Sequence, residues 1–179
     1  MKEKFNNRGI CIWLTGLPCS GKTTIAKELS EQFEKASYQV KVFDGNEVRK
    51  TISKDLGFSK EDRIENMFRV AKLAKEFVEQ GYIVICALIS PYRNARNKIR
   101  KMFENGEFIE VFVDAPLRVC ESRDIKNMYK KAREGLIENF TGINDPYEPP
   151  EMPEVHLKTD LLSIQECVYK ILKFLNNQR

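Results

Sequence analysis

Gly16-Leu17-Pro18-Cys19-Ser20-Gly21-Lys22-Thr23 is the stretch whose reading decides the fold. It matches G-x-x-x-x-G-K-S/T at every fixed position, and it stands where that pattern has a mechanism, after an apolar run and at the start of a helical one. Gly16 and Gly21 permit backbone conformations in which successive N–H groups turn inward, and the following helix adds its positive N-terminal end. A polyphosphate is what such a loop holds. With ATP in the loop, Lys22 is expected to reach the β- and γ-phosphates, the Thr23 hydroxyl to ligate Mg²⁺, and Thr24 to follow at the phosphate end. Cys19 lies inside the loop, where a lysine and a helix N-terminus can lower a thiol pKa, but the loop binds through its backbone and a passive filler is the plainer reading.

Working outward, Ile10-Cys-Ile-Trp-Leu14 reads as a strand entering the loop, and Ile25, Leu29 and Phe33 mark one face of a helix over Thr23 to Ala36. Val40 to Phe43 alternates as a second strand that stops at Asp44-Gly45. Ile64, Met67, Ala71, Ala74 and Val78 then give a helix ended by Gly81, and Tyr82 to Ile89 is a strand apolar on both faces. A helix over Asn94 to Phe103 and a strand over Phe108 to Val113 follow. The stretch Thr141 to Pro153 contains four of the seven prolines and is expected to be irregular. Leu161, Ile164, Val168, Ile171 and Leu175 predict a closing amphipathic helix. Strands alternating with helices imply right-handed crossovers, hence an α/β three-layer sandwich of the P-loop NTPase type, its sheet mainly parallel with helices on both faces. Ligands in such folds sit beyond the carboxyl ends of the strands.

With 179 residues and 42% hydrophobic side chains, the chain suffices for one core and one domain over 1–179. Thirty Lys and Arg against 26 acidic residues leave a net charge of +4 without a basic block, which suits a small anion and argues against a nucleic-acid polymer. Five cysteines without C-x-x-C spacing and one histidine, His156, offer no zinc cluster and point to reduced thiols in the cytoplasm. Met1 to Arg8 is polar and does not read as a secretory leader, and Tyr82 to Ile89 is too short to span a bilayer, so no membrane association is expected.

The loop alone does not choose between phosphoryl transfer and nucleotide hydrolysis. The compact length favours a kinase for a small acceptor, as does Lys126 to Arg133, which puts four cations on a predicted helix before the Pro-rich stretch. That segment, near 124–154, reads as a cationic lid able to cover transferring phosphates, or else as a solvated basic face. Asp44, on the same rim as the loop, is placed to orient Mg²⁺ or to accept an acceptor's hydroxyl proton, although Asp-Gly is also an ordinary turn.

Further motifs occur in a recognisable order: Trp13-Leu-Thr-Gly-Leu17, Asp55-Leu-Gly-Phe-Ser59, Asp62-Arg63, Glu65-Asn66, Ile89-Ser-Pro-Tyr92, Cys120-Glu-Ser-Arg-Asp124, Tyr129-Lys-Lys-Ala-Arg133, Asn139-Phe-Thr-Gly-Ile143 and Pro146-Tyr-Glu148. Over nearly its whole length the chain resembles the adenylyl-sulfate (APS) kinases. The resemblance implies transfer from MgATP to the ribose 3′-hydroxyl of adenylyl sulfate, with the small-molecule acceptor held by Asp44, Arg49, Phe58, Arg63, Asn66, Ile89, Lys130 and Phe140. Phe58 and Phe140 would sandwich a base, and Arg49 and Arg63 would fork onto phosphate or sulfate oxygens. Arg123 matches the residue packed on the ATP base. Ser90 matches a position known in the family as a phosphoserine intermediate, which direct in-line transfer does not need. Relatives are often dimers, which makes a homodimer one expectation for the assembly.

Three positions depart from the family pattern. Asn46 replaces the second aspartate of Asp-Gly-Asp-Asn and cannot act as a base, so Asp44 acts alone or Glu47 turns inward to help. Phe68 stands where arginine is common, and Asn127 where glycine is usual. All three fall in segments expected to close around the acceptor. A sister activity, 3′-phosphorylation of another nucleotide such as cytidine diphosphoramidate in capsule biosynthesis, therefore stays beside the APS reading, as does a nucleotide-binding module without transfer.

Overall fold

The computed structural model describes residues 9–178; the leader reading of Met1 to Arg8 lies outside them. β1 (Ile10–Thr15) leads through the glycine loop into α1 (Lys22–Lys35), and β2 (Val40–Asp44) follows. Then come α2 (Gly45–Lys50), α3 (Lys60–Glu79), β3 (Ile83–Ala87), α4 (Arg93–Arg100) and β4 (Phe108–Asp114). The chain closes with α5 (Leu117–Ser122), α6 (Met128–Arg133), β5 (Val155–Lys158) and α7 (Ile164–Asn177).

The five strands form one parallel sheet in the order β2-β3-β1-β4-β5. β1 is central because every one of its residues is buried, which only a strand covered on both faces tolerates. Its alternation sends Ile10, Ile12 and Leu14 to a layer shared with α1 (Ile25, Leu29, Phe33) and α7 (Val168, Ile171, Leu175). Cys11 and Trp13 point to the opposite layer, against Met67, Val70 and Ala74 of α3 and Ile99 of α4. Each fully buried Ile or Leu of β1 contributes roughly 1.5–3 kcal/mol, so the strand carrying the loop is held from both sides. From β1 the chain crosses to β2 and β3 on one side of the sheet and then passes back over β1 to β4 and β5 on the other, and this reversal opens the crevice at the carboxyl ends where the glycine loop sits.

The structure differs from the sequence expectations at several elements. α2 is six residues long and begins at the Asp44-Gly45 turn, where the Asp44 carboxylate caps it by accepting from the Asn46 N–H at 2.9 Å. β5 and α5 have only four and six residues, too short for a periodic signal to stand out. α4 ends at Arg100 rather than Phe103. α7 begins at Ile164 behind a capping box of Ser163 and Glu166, leaving Leu161 73% exposed ahead of it. The Pro-rich stretch is irregular as expected, and α4 fastens it: Arg93 donates to the Pro149 carbonyl, Arg96 to the Glu148 carbonyl, and Arg100 to both oxygens of Glu154.

Candidate active site

Gly16 is fixed by space, since a Cβ there would lie 2.2 Å from the Val113 carbonyl oxygen. Gly21 is fixed by conformation, because its φ of 107° is unfavourable for L side chains although nothing would crowd a Cβ. Between them Leu17 and Pro18 carry the turn, and the Ser20 N–H bonds back to the Leu17 carbonyl at 3.2 Å. The Lys22 ammonium donates to the carbonyls of Gly16 (2.9 Å) and Leu17 (2.7 Å), and it is 8% exposed. Burial pushes its pKa down to about 8. The Cys19 thiol is raised, chiefly by burial and then by Asp124, against the opposite pull of Lys22.

Two cavities meet at this loop. Both are lined by Cys19, Lys22 and Thr23. One continues along Gly21, Thr24 and Ile25 to Arg123 and Thr159. The Arg123 guanidinium donates to the Thr159 hydroxyl (3.2 Å) and carbonyl (2.6 Å), and the Thr159 hydroxyl donates to the Ser20 carbonyl at 2.8 Å. Thr159 thus ties Arg123 to the loop. Sequence reasoning missed it because it directly follows β5, the strand that was too short to recognise.

The other cavity runs past Asp44 and Asn46 to Arg49, Phe58, Arg63 and Asn66, with Ile89 and Ser90 on its far wall. Where the cavities join, the Thr23 hydroxyl donates to Asp44 Oδ2 at 2.6 Å. A hydroxyl and a carboxylate are hard oxygen donors. Because the described residues contain no cluster of three His, Cys, Asp or Glu fit for a metal, a cation held here would complete its shell with phosphate oxygens and water. Glu47 does not turn inward: it pairs with Lys50 at 2.7 Å, each side chain 68% exposed. Asp44 is therefore the one carboxylate among the residues lining this cavity.

Phe58 is 57% exposed and has two guanidinium groups over its ring, Arg49 at 4.8 Å and Arg63 at 5.6 Å from the centre. Asn66 lines the cavity and is buried, and its Oδ1 has no hydrogen-bond partner among the described residues. The Ile89 carbonyl accepts from the Thr15 hydroxyl at 2.7 Å. Ser90 is 2% exposed, has a φ of 48°, and its Oγ accepts from the Trp13 indole N–H at 3.0 Å.

Two sequence candidates are not brought to this cavity. Phe140 packs edge-on against Tyr129, 4.9 Å between ring centres, in a cluster with Leu17 over the glycine loop. Lys130 is on the exposed side of α6, 3.9 Å from Glu134. The departures also separate. Only Asn46 lines the cavity. Phe68 packs into the hydrophobic layer under α3. Asn127 has a φ of 54°, a left-handed conformation that glycine adopts freely and asparagine tolerates better than most residues, so that substitution is absorbed by the backbone.

The adenylylsulphate kinase family model matches residues 8–158. An adenylyl-sulfate kinase of Halothermothrix orenii is 47% identical over 97% of this chain and 92% of its own length. One of Rippkaea orientalis is 51% identical over 92% and 90%. Among solved structures, the Mycobacterium tuberculosis APS kinase CysC in complex with AMPPNP and APS superposes with a TM-score of 0.90 at 38% identity, covering 95% of this chain and 99% of that one. Shikimate kinase of Aquifex aeolicus, at 21% identity and a TM-score of 0.53, shares the fold.

Proposed function

The chain belongs to the adenylyl-sulfate kinase family, and we propose that it transfers the γ-phosphoryl group of ATP to the ribose 3′-hydroxyl of adenylyl sulfate, forming 3′-phosphoadenylyl sulfate and ADP. The observation that carries this reading is the seam of the two cavities, where Lys22, Thr23 and Asp44 stand between a nucleotide groove ending at Arg123 and a pocket ending at Phe58.

ATP lies along the first groove, its phosphates over the loop and its base toward Arg123. Lys22 exchanges the Gly16 and Leu17 carbonyls for β- and γ-phosphate oxygens, where its charge meets the charge developing in transfer. Thr23 and Asp44 would hold Mg²⁺, which would neutralise charge on the phosphate oxygens. The acceptor base stacks on Phe58, Arg49 and Arg63 meet the anhydride oxygens, and Asn66 Oδ1 accepts from an acceptor donor group. The 3′-oxygen then attacks γ-phosphorus in line as the bond to the β–γ bridging oxygen breaks, and Asp44 takes the hydroxyl proton. Asn46 cannot take it and Glu47 faces away, which supports Asp44 acting alone. Ser90 has no covalent part in this scheme.

Residues 124–154 serve as a lid. The Tyr129 hydroxyl donates to the Pro18 carbonyl at 2.8 Å, so α6 already bears on the loop. Lys130, 73% exposed on its side chain, is loosely enough held to move onto the acceptor as the lid closes, and Phe140 approaches the base in the same motion. One sheet organises both large hydrophobic layers, which supports a single kinase domain. Five free thiols suit a reducing cytoplasm, and no helix among the described residues is long and apolar enough to cross a membrane.

The test is an incubation of the purified chain with MgATP and adenylyl sulfate, scored by mass spectrometry for 3′-phosphoadenylyl sulfate and by a one-to-one yield of ADP. Cytidine diphosphoramidate serves as the competing acceptor. Turnover of the cytidine compound without adenylyl sulfate would overturn the reading, and chelation of Mg²⁺ should stop the reaction.

A further inference from the structure

Arg63 reaches the acceptor pocket from α3 with 8% of its surface exposed, and its guanidinium is engaged along one edge. Nε donates to the Phe58 carbonyl at 3.0 Å, and Nη2 donates to the carbonyl of Asn139. Asp145 Oδ2 lies 3.5 Å from the same Nε, and the pair is buried, with side-chain exposures of 9% and 15%. The Asp145 carboxylate also accepts from the Tyr92 hydroxyl at 3.1 Å. Asn139 and Asp145 bracket a loop closed on itself: the Asp145 N–H donates to the Phe140 carbonyl at 3.2 Å, and the Gly142 N–H donates to the Asp145 carbonyl at 2.8 Å. One compact loop therefore grips Arg63 at both of its ends.

A guanidinium has five N–H donors in a rigid plane, so fixing two nitrogens fixes the third. Nη1 has no hydrogen-bond partner among the described residues, and Arg63 lines the acceptor cavity. The Phe58 and Asn139 carbonyls set that plane, and the Asp145 carboxylate, 3.5 Å from Nε and tethered to the Tyr92 hydroxyl, holds the loop that supplies the second of them. We propose that Asp145 is a positioning residue for acceptor binding: paired with Arg63 and tethered to Tyr92, it holds the 139–145 loop whose Asn139 carbonyl aims the guanidinium, and thereby makes the ordered loop a condition of affinity for the anionic acceptor. This rests on the reading of Arg63 as an anion contact. Charge alone predicts the opposite sign, because a carboxylate near the pocket repels an anion and its removal would tighten binding.

The experiment measures kcat, both KM values and Tm for D145N, R63K and Y92F in the full chain. D145N is expected to raise the KM for adenylyl sulfate about tenfold, as loss of one aimed charge-assisted hydrogen bond does. kcat and the KM for ATP should stay within about twofold. Y92F, which keeps the carboxylate and removes one of its tethers, should give a smaller rise in the same parameter. If R63K leaves the acceptor KM unchanged, Arg63 is not an anion contact and both readings fall. If R63K raises it while D145N leaves it unchanged or lowers it, the Asp145 proposal alone is overturned. Equal rises in both KM values for D145N, accompanied by a lower Tm, mark a merely structural role and also overturn it. Should D145N fail to fold, D145E, which keeps the charge and moves it by one methylene, is read the same way.

Discussion

The Thr23 hydroxyl donates to Asp44 Oδ2 across 2.6 Å and so joins the first turn of α1 to the end of β2. Both residues are at strand or helix termini, and the parallel sheet brings those termini to one rim. Asp44 is held from the other side as well, because its Oδ1 accepts the Asn46 N–H. The Asn46 side chain is not needed for that bond, which explains how the chain keeps the geometry of Asp44 while carrying an amide two residues on. D44N preserves the shape and removes the base and the anionic ligand. It is expected to lower kcat by about 10²–10⁴-fold, as loss of a general base does, and to raise the Mg²⁺ concentration needed for half-maximal rate. Rate measured against Mg²⁺ concentration checks both.

Lys22 predicts a pH dependence with a definite sign. Its folded pKa of about 8 lies below the ordinary lysine value of about 10.4, so between these limits the unfolded chain holds more protons than the folded one. Stability from this residue therefore rises as pH increases from about 8 to about 10.4 and is lost as pH falls back through about 8. Nucleotide affinity runs the other way. Phosphate oxygens favour the charged ammonium, so ATP binding above pH about 8 should take up a proton. Calorimetry at pH 8.5–9 in buffers of different ionisation enthalpy reads that uptake, and K22A should abolish it together with transfer.

Phe58 separates affinity from stability. The ring is 57% exposed, so its removal should change folding free energy by no more than about 0.5 kcal/mol. Stacking on a base is worth about 1–3 kcal/mol, so F58A should raise the KM for adenylyl sulfate by roughly five- to 150-fold while the KM for ATP holds. Steady-state kinetics with each substrate varied in turn, beside a urea melt, checks the pair of expectations.

Arg96 gives the converse. It is 1% exposed on α4, and its guanidinium donates to Glu110 (2.7 Å), the Ser90 carbonyl (2.6 Å) and the Glu148 carbonyl (2.6 Å). R96A leaves Glu110, itself 5% exposed, with only the more distant Arg100 at 3.4 Å. Breaking such a buried pair costs about 3–5 kcal/mol, which a thermal or urea melt resolves.

The donor half of this site was legible in the sequence because glycine, lysine and threonine at fixed spacing report a backbone conformation, and conformation is what holds phosphate. The acceptor half was legible only through resemblance: Arg49, Phe58, Arg63 and Asn66 are scattered over a capped turn and a long helix, and no period links them. Thr159 and Asp145 were not legible, because their hydrogen-bond partners lie 36 to 139 residues away in the chain and only the fold brings them together. Lys130 and Phe140 were named from the sequence, yet they stand outside the acceptor cavity because α6 and the loop after it pack on Pro18 and Leu17 rather than on Phe58.

Ser90 is where a catalytic role and a structural role predict different results. Its Oγ accepts the hydrogen of Trp13 Nε1 inside the sheet layer, and its carbonyl accepts from Arg96, so the residue is anchored at both ends. A phosphoryl group added at that 2% exposed oxygen would displace the indole and bring about two negative charges beside buried Trp13. S90A should therefore retain phosphoryl transfer at a rate of the same order, and mass spectrometry of the enzyme during turnover should find no phosphoserine. The cost should fall on folding: an indole N–H left buried without a partner is worth about 1–3 kcal/mol, read as a lower urea midpoint with the slope unchanged. Loss of turnover in a folded S90A protein, judged by native-like Trp13 emission, would restore the covalent role.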